Sequence, residues 1–145
     1  MRFRFPVTVH LFFLRNEQIL IARRQNTGYR DGEYSVPAGH LDGAETVLSA
    51  GAREAREEVG LRLDEADLEF AGVMHRIEDD ERVDFFLRVR AWRGEPFNNE
   101  PQKCDDLRWV SVASLPENTV PYVRRAISNH LRGVVFDEFG WDGTA

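Results

Sequence analysis

Gly39 to Leu61 reads GHLDGAETVLSAGAREAREEVGL, and the rest of the chain is arranged around this stretch. Read as a helix, residues three and four apart share a face, which gathers Glu54, Glu57 and Glu58 on one side. Leu48, Ala52, Ala55 and Val59 form a second, apolar stripe that would pack on a core. The helix is expected to begin near Glu45 or Thr46, after the Asp42-Gly43 turn. Gly60 stands where a left-handed glycine ends a helix. Three carboxylates within one turn repel one another. Two readings are open: a solvated Glu/Arg face in which Arg53 and Arg56 pair with the glutamates, or an oxygen-only site for a hard divalent cation.

The glycines framing the helix decide between them. Gly39, Glu45, Arg53-Glu54-Ala55, Glu57-Glu58 and Gly60-Leu61 resemble, at every fixed position, the signature of the Nudix hydrolases; Ala55, where a larger aliphatic is usual, is a mild departure. The resemblance implies an α/β fold, the Nudix-type α/β/α sandwich around a mixed β-sheet. It also implies hydrolysis of a nucleoside diphosphate linked to a further group X by attack of water on phosphorus. Carried over by position, Glu57 and Glu58 are direct metal ligands, the Gly39 carbonyl is another, and Glu45 lies in the outer metal shell. Glu54 is a further ligand or the base, and Arg53 orients the glutamates by bidentate pairing. Arg56 is a surface charge. The implied cofactor is Mg2+, with Mn2+ able to substitute.

A second resemblance lies outside the box. Trp92 to Glu100, WRGEPFNNE, is similar in spacing to the loop that carries a catalytic glutamate in the MutT-like branch, which places Glu100 as a catalytic or metal-binding acid. The base is Glu54 or Glu100. Markers of other branches are missing: no proline around His75 to Ile77, no tyrosine near Glu78. The MutT-like branch implies cleavage of (d)NTPs to NMP and pyrophosphate. The position that reads an oxidised guanine there falls on Thr119, with Asn118 beside it. The alternatives are an NDP-sugar or other NDP-X hydrolase and, from another class, a non-catalytic nucleotide-sensing module. The intact Glu54, Glu57 and Glu58 favour an enzyme. A homodimer is common in the family.

Composition sets outer bounds. The 145 residues are expected to form one domain, 1–145, with 133–145 an edge strand, a partner-contacting segment or a loose tail. A net charge of −6 speaks against a nucleic-acid partner and leaves a small nucleotide as the expected one, approached through metal ions. No apolar run approaches the roughly 20 residues that span a bilayer, so no membrane partner is expected. The single cysteine, Cys104, suits a reducing cytoplasm.

Along the chain, Phe5 to Leu14 and Gln18 to Arg23 read as strands joined at Asn16-Glu17. A polar loop from Gln25 to Gly32 follows, beside which Arg23 and Tyr29 are candidate substrate contacts. Glu33 to Val36, Leu68 to Arg76, Val83 to Trp92 and Leu107 to Val112 read as further strands. Pro121 to about Arg132 reads as a helix with Tyr122, Ala126 and Ile127 inward. Tyr29, Phe85 and Trp109 are candidate base-stacking rings, and Asn118 a candidate base contact. Asp84 is expected on a strand surface, and Glu78 to Glu81 as a solvated turn.

Overall fold

The computed structural model describes residues 1–143. Its fold turns on β1 (Val7–Arg15), which is forked. One edge pairs in parallel with β6 (Glu81–Val89) along its length. The other edge is shared: Leu14 and Arg15 pair with β2 (Gln18–Arg24), whereas Thr8, Val9 and His10 pair with β4 (Ala38–His40). The split leaves a cleft between the two branches. The β1–β2 turn is made by Asn16 and Glu17, both left-handed, as the hairpin twist demands.

The mixed sheet runs β3 (Tyr34–Ser35), β2, β1, β6, β5 (Leu68–Ile77), β8 (Phe136–Phe139), with β4 on β1 and β7 (Cys104–Ser111) on β2. Helix α1 (Val47–Val59) covers one face over Val9, Leu11, Leu87 and Val89; α2 (Pro121–Leu131) covers the other over Phe12, Met74 and Phe86. This is the α/β/α sandwich expected. No helix among the described residues is long and apolar enough to cross a membrane.

Several boundaries differ from the sequence reading. Ala38–His40 forms a further short strand, because β1 offers it an edge. The buried face of α1 is built of small residues, Ala50, Gly51 and Ala55 with Val59, while Leu48 and Ala52 only flank it. A Cβ on Gly51 would lie 2.9 Å from Leu87, so the helix rests close on the sheet. Thr46 caps α1 by accepting from the Ser49 N–H at 3.0 Å. The strand expected from Leu107 already begins at Cys104. Residues 136–139 add β8 in parallel to β5, so the tail is an edge strand as far as Phe139, and residues 144–145 lie outside the described part.

Candidate active site

The acidic face of α1 meets β4 through Arg53. Its Nε and Nη2 donate to both oxygens of Glu45 (3.1 and 2.7 Å), and Nη1 donates to Glu54 (2.8 Å) and Glu57 (3.3 Å). Nη2 also donates to the His40 carbonyl at 3.0 Å, tying the helix to the strand. The Ala38 N–H donates to Glu58 Oε2 at 2.8 Å. Glu54 is buried while Glu57 is exposed, so the face runs from the β4 backbone out to solvent. A Cβ on Gly39 would stand 2.0 Å from Glu54 Oε1. Any larger residue at 39 would push the Glu54 carboxylate out of that space.

One guanidinium serves several carboxylates, and the deficit shows in their acidities. Burial, with the charges of Glu57 and Glu100 added, raises Glu54 from 4.5 to about 7 despite Arg53. Burial and the charges of Glu54 and Glu100 push Glu58 well above the carboxylate range. Oxygen ligands short of positive charge are the donor set a hard divalent cation takes. Among the described residues, no three Asp, Glu, His or Cys side chains surround one point as ligands do. Arg53 and the Ala38 amide hold the oxygens instead.

Glu100 reaches this face because its loop caps the helix. The last carbonyls of a helix have no partner within it. Here Phe97 N–H donates to Val59 O (3.1 Å), Asn99 N–H to Glu58 O (3.0 Å), and the Asn99 amide to Arg56 O and Glu57 O (both 3.2 Å). Gly60 is left-handed, and a Cβ there would stand 2.2 Å from the Phe97 ring. The sequence reading used only the first of these two reasons for the glycine. Gln25 and Asn26 hold the loop from the other side, donating to the carbonyls of Pro101 (2.6 Å) and Gln102 (3.1 Å).

The face opens into a cavity of about 870 Å³ that follows the fork of the sheet. Gly39, Glu54, Glu57, Glu58, Glu100 and Lys103 line its carboxylate end, and Arg24, also in the wall, donates to the Tyr29 carbonyl at 2.7 Å. Arg76, Glu78, Tyr29 and Tyr122 line the other. From β4 across β1 and β6 to β5 is three strand spacings, about 14 Å. The floor at the far end is a buried polar network. Arg76 (3% exposed) donates to both oxygens of Asp84 (0%) at 2.7 and 3.1 Å, and Asp84 also accepts from the Thr8 hydroxyl. The Arg76 guanidinium lies 3.5 Å over the Tyr122 ring. Burial lowers His10 to about 4, so its ring is neutral; Nδ1–H donates to Phe85 O, and Nε2 accepts from the Tyr122 hydroxyl at 2.8 Å.

The cavity therefore brings together Gly39, Arg53, Glu54, Glu57, Glu58, Glu100, Arg23 and Tyr29. Arg23 is already paired with Asp105 at 2.7 Å. Phe85 and Asn118 are not among its walls. Phe85 alternates to the α1 side of β6, opposite Asp84, and exposed Asn118 donates to Gly32 O at 2.9 Å. Trp109 packs beside Trp92 under Arg15 instead of facing a ligand. The surface position expected for Asp84 is corrected: it is wholly buried, because Arg76 on the paired strand reaches it. Glu78 is also no solvated turn acid, since its side chain is only 11% exposed. A carboxylate in an apolar strand, eight residues from an arginine in the preceding strand, was the available signal for the first.

The fold and its acidic helix define a hydrolase of the MutT type. A MutT NUDIX hydrolase from Burkholderia pseudomallei superposes with a TM-score of 0.78 at 26% identity, over 85% of this chain and 95% of that one. The model of the NUDIX domain matches residues 4–130, and the chain belongs to the Nudix family, hydrolases of phosphoric anhydride bonds. It is 34% identical over 122 residues to the putative 8-oxo-dGTP diphosphatase 2 of Mycobacterium tuberculosis H37Rv, covering 82% of this chain and 83% of the relative. It is 27% identical over 129 residues to the 8-oxo-dGTP diphosphatase of Escherichia coli K12, covering 89% and 97%.

Proposed function

We propose that the protein is a (d)NTP pyrophosphohydrolase that cleaves its substrate to NMP and pyrophosphate, with Mg2+ as cofactor and Mn2+ able to replace it. The observation that carries this reading is the two-ended cavity. One end is a carboxylate face short of positive charge, and the other, lined by Tyr29, Tyr122, Arg76 and Glu78, would take the nucleoside. The diphosphatase names of the two relatives support the same substrate class.

Glu57, Glu58, Glu54 and the Gly39 carbonyl would hold the metal, with Glu100 joining from its loop. When bound, the cation would neutralise phosphate oxygens and lower the acidity barrier of the attacking water. Arg53 keeps the glutamates in register, and Glu45 acts through Arg53. Water attacks phosphorus, the base takes its proton, and the anhydride between the α and β phosphates breaks to release pyrophosphate. Glu54, held near neutrality, matches the demand on such a base, and Glu100 is the other candidate. Arg23 and Arg24 flank the path of the phosphates. The single cysteine supports a cytoplasmic setting.

The test is product analysis on a panel of NTPs, dNTPs, NDP-sugars and dinucleotides with magnesium and with manganese. Pyrophosphate released from triphosphates supports the reading. Turnover confined to NDP-X compounds, or orthophosphate as the only inorganic product, overturns it.

A further inference from the structure

Glu100 is held from two sides. On one, Asn99 ties its loop to the last carbonyls of α1; on the other stands the loop that follows β2. Strands β2 and β7 pair as far as Arg24 and Cys104, with a register shift between Arg23 and Arg24, so the chain leaves the sheet beside the turn 101–103. There three consecutive carbonyls meet donors from two residues. Gln25 Nε2 donates to Pro101 O at 2.6 Å, Asn26 Nδ2 to Gln102 O at 3.1 Å, and the Gln25 N–H to Lys103 O at 3.0 Å. The turn closes on Glu100 itself, whose carbonyl accepts from the N–H groups of Lys103 (2.9 Å) and Cys104 (3.0 Å). The donating loop is braced in turn: Arg24 Nη2 donates to the Thr27 hydroxyl at 3.0 Å, and the Asp31 carboxylate accepts from the N–H groups of Thr27 and Gly28, each at 3.1 Å. Asn26 is left-handed, a conformation asparagine adopts more readily than most residues.

Pro101, Gln102 and Lys103 are exposed, and water is available to satisfy their carbonyls. Three protein donors in a row therefore add little to stability, and what they fix is place. Gln25 is not among the cavity walls, and the Asn26 amide is taken by Gln102, so neither side chain is free for a ligand. We propose that Gln25, seconded by Asn26, is a positioning residue for Glu100: it holds the turn after Glu100 so that the carboxylate stays at the acidic face of α1. The inference rests on the reading of Glu100 as base or metal ligand. Displacing such a group by about 1 Å costs up to roughly a hundredfold in rate.

We expect Gln25→Ala to melt within about five degrees of wild type. Its kcat for pyrophosphate release should fall about tenfold or more, with KM changed by less than about threefold. Gln25→Glu keeps the shape but sets an oxygen against Pro101 O, and should fall at least as far. The deciding readout is Gln25→Ala in a Glu100→Gln background, where a residue that acts through Glu100 has no further effect. An equal loss in both backgrounds, or an unchanged kcat in Gln25→Ala, overturns the proposal. A wild-type kcat in Glu100→Gln overturns it together with the role given to Glu100, and leaves the pyrophosphohydrolase reading standing. Amide hydrogen exchange of the metal-free protein is the second readout. The Lys103 and Cys104 amides should exchange faster in Gln25→Ala while those of α1 keep their protection. Unchanged exchange at both overturns the proposal as well. If no triphosphate is hydrolysed, the pyrophosphohydrolase reading fails, and exchange at Lys103 and Cys104 still decides whether Gln25 holds the turn.

Discussion

The two ends of the cavity handle buried charge in opposite ways. At the α1 end, Arg53 is shared among Glu45, Glu54 and Glu57, and Glu54 and Glu58 are held with pKa values well above that of an ordinary carboxylate. At the β5 end, Arg76 pairs with both Asp84 and Glu78, Thr8 donates to Asp84, and burial, the largest influence on Asp84, is outweighed so that its pKa stays below the ordinary value. Among the described residues no buried side-chain polar atom is left without a partner, so the difference is one of charge balance rather than of missing hydrogen bonds. The first end is costly to the fold and suited to a ligand cation; the second stabilises the fold and shapes a pocket. An enzyme of this size places its strain where the chemistry is.

The sharpest way to break the contrast is Glu57→Gln. Glu57 is exposed, so the variant should melt like wild type while kcat falls by roughly 10³-fold, the scale of losing a metal's charge stabilisation. Parallel thermal melts and steady-state assays check it. Next is Asp84→Ala, which strands Arg76 in the core and should cost about 3–5 kcal/mol, read by denaturant unfolding. A loss comparable to that of an exposed ion pair would remove the contrast.

A smaller effect, of opposite sign, is expected at Glu54. Its folded-state pKa, about 7, lies above the unfolded value of 4.5, so the folded protein holds the extra proton between those values. Without metal, stability should therefore fall as pH rises from about 4.5 to 7 and level off above. Glu54→Gln should remove that slope and stabilise the metal-free protein at pH 8, by on the order of 1–3 kcal/mol. Urea titrations across pH check both. The smallest effect is at the helix start: Thr46→Ala should cost about 1 kcal/mol and leave kcat nearly unchanged. Gly60→Ala, by contrast, displaces Phe97 and should lower kcat through Glu100 as well as stability.

The two ends also differ in how far they can be read from the chain alone. The α1 end is local: its acids, Arg53 and both box glycines lie within 23 consecutive residues, and helical spacing alone gathers the glutamates. The hairpin at Asn16-Glu17 and the inward residues of α2 were legible for the same reason. The β5 end is built from Thr8, His10, Tyr29, Arg76, Asp84 and Tyr122, which meet only through strand pairing. Period-two alternation cannot say which face of a strand covered by helices on both sides meets the cavity. That is why Phe85 was placed in the site and Asp84 on the surface. Glu100 was located by resemblance, but its physical reason, a loop satisfying the open carbonyls of α1, needed the fold. The strands β4 and β8 are short and depend on edges offered by β1 and β5.

The central claim is that the α1 face is a set of ligands held short of positive charge. The direct measurement is the melting temperature of wild type and of a Glu54→Gln/Glu58→Gln variant, with and without Mn2+, at pH 6 and pH 8. A bound cation stabilises the folded state, and protons compete with it for the carboxylates. The account predicts a rise for wild type that is larger at pH 8 than at pH 6, and no rise for the variant. An equal rise in both proteins, or none in wild type at either pH, would contradict it.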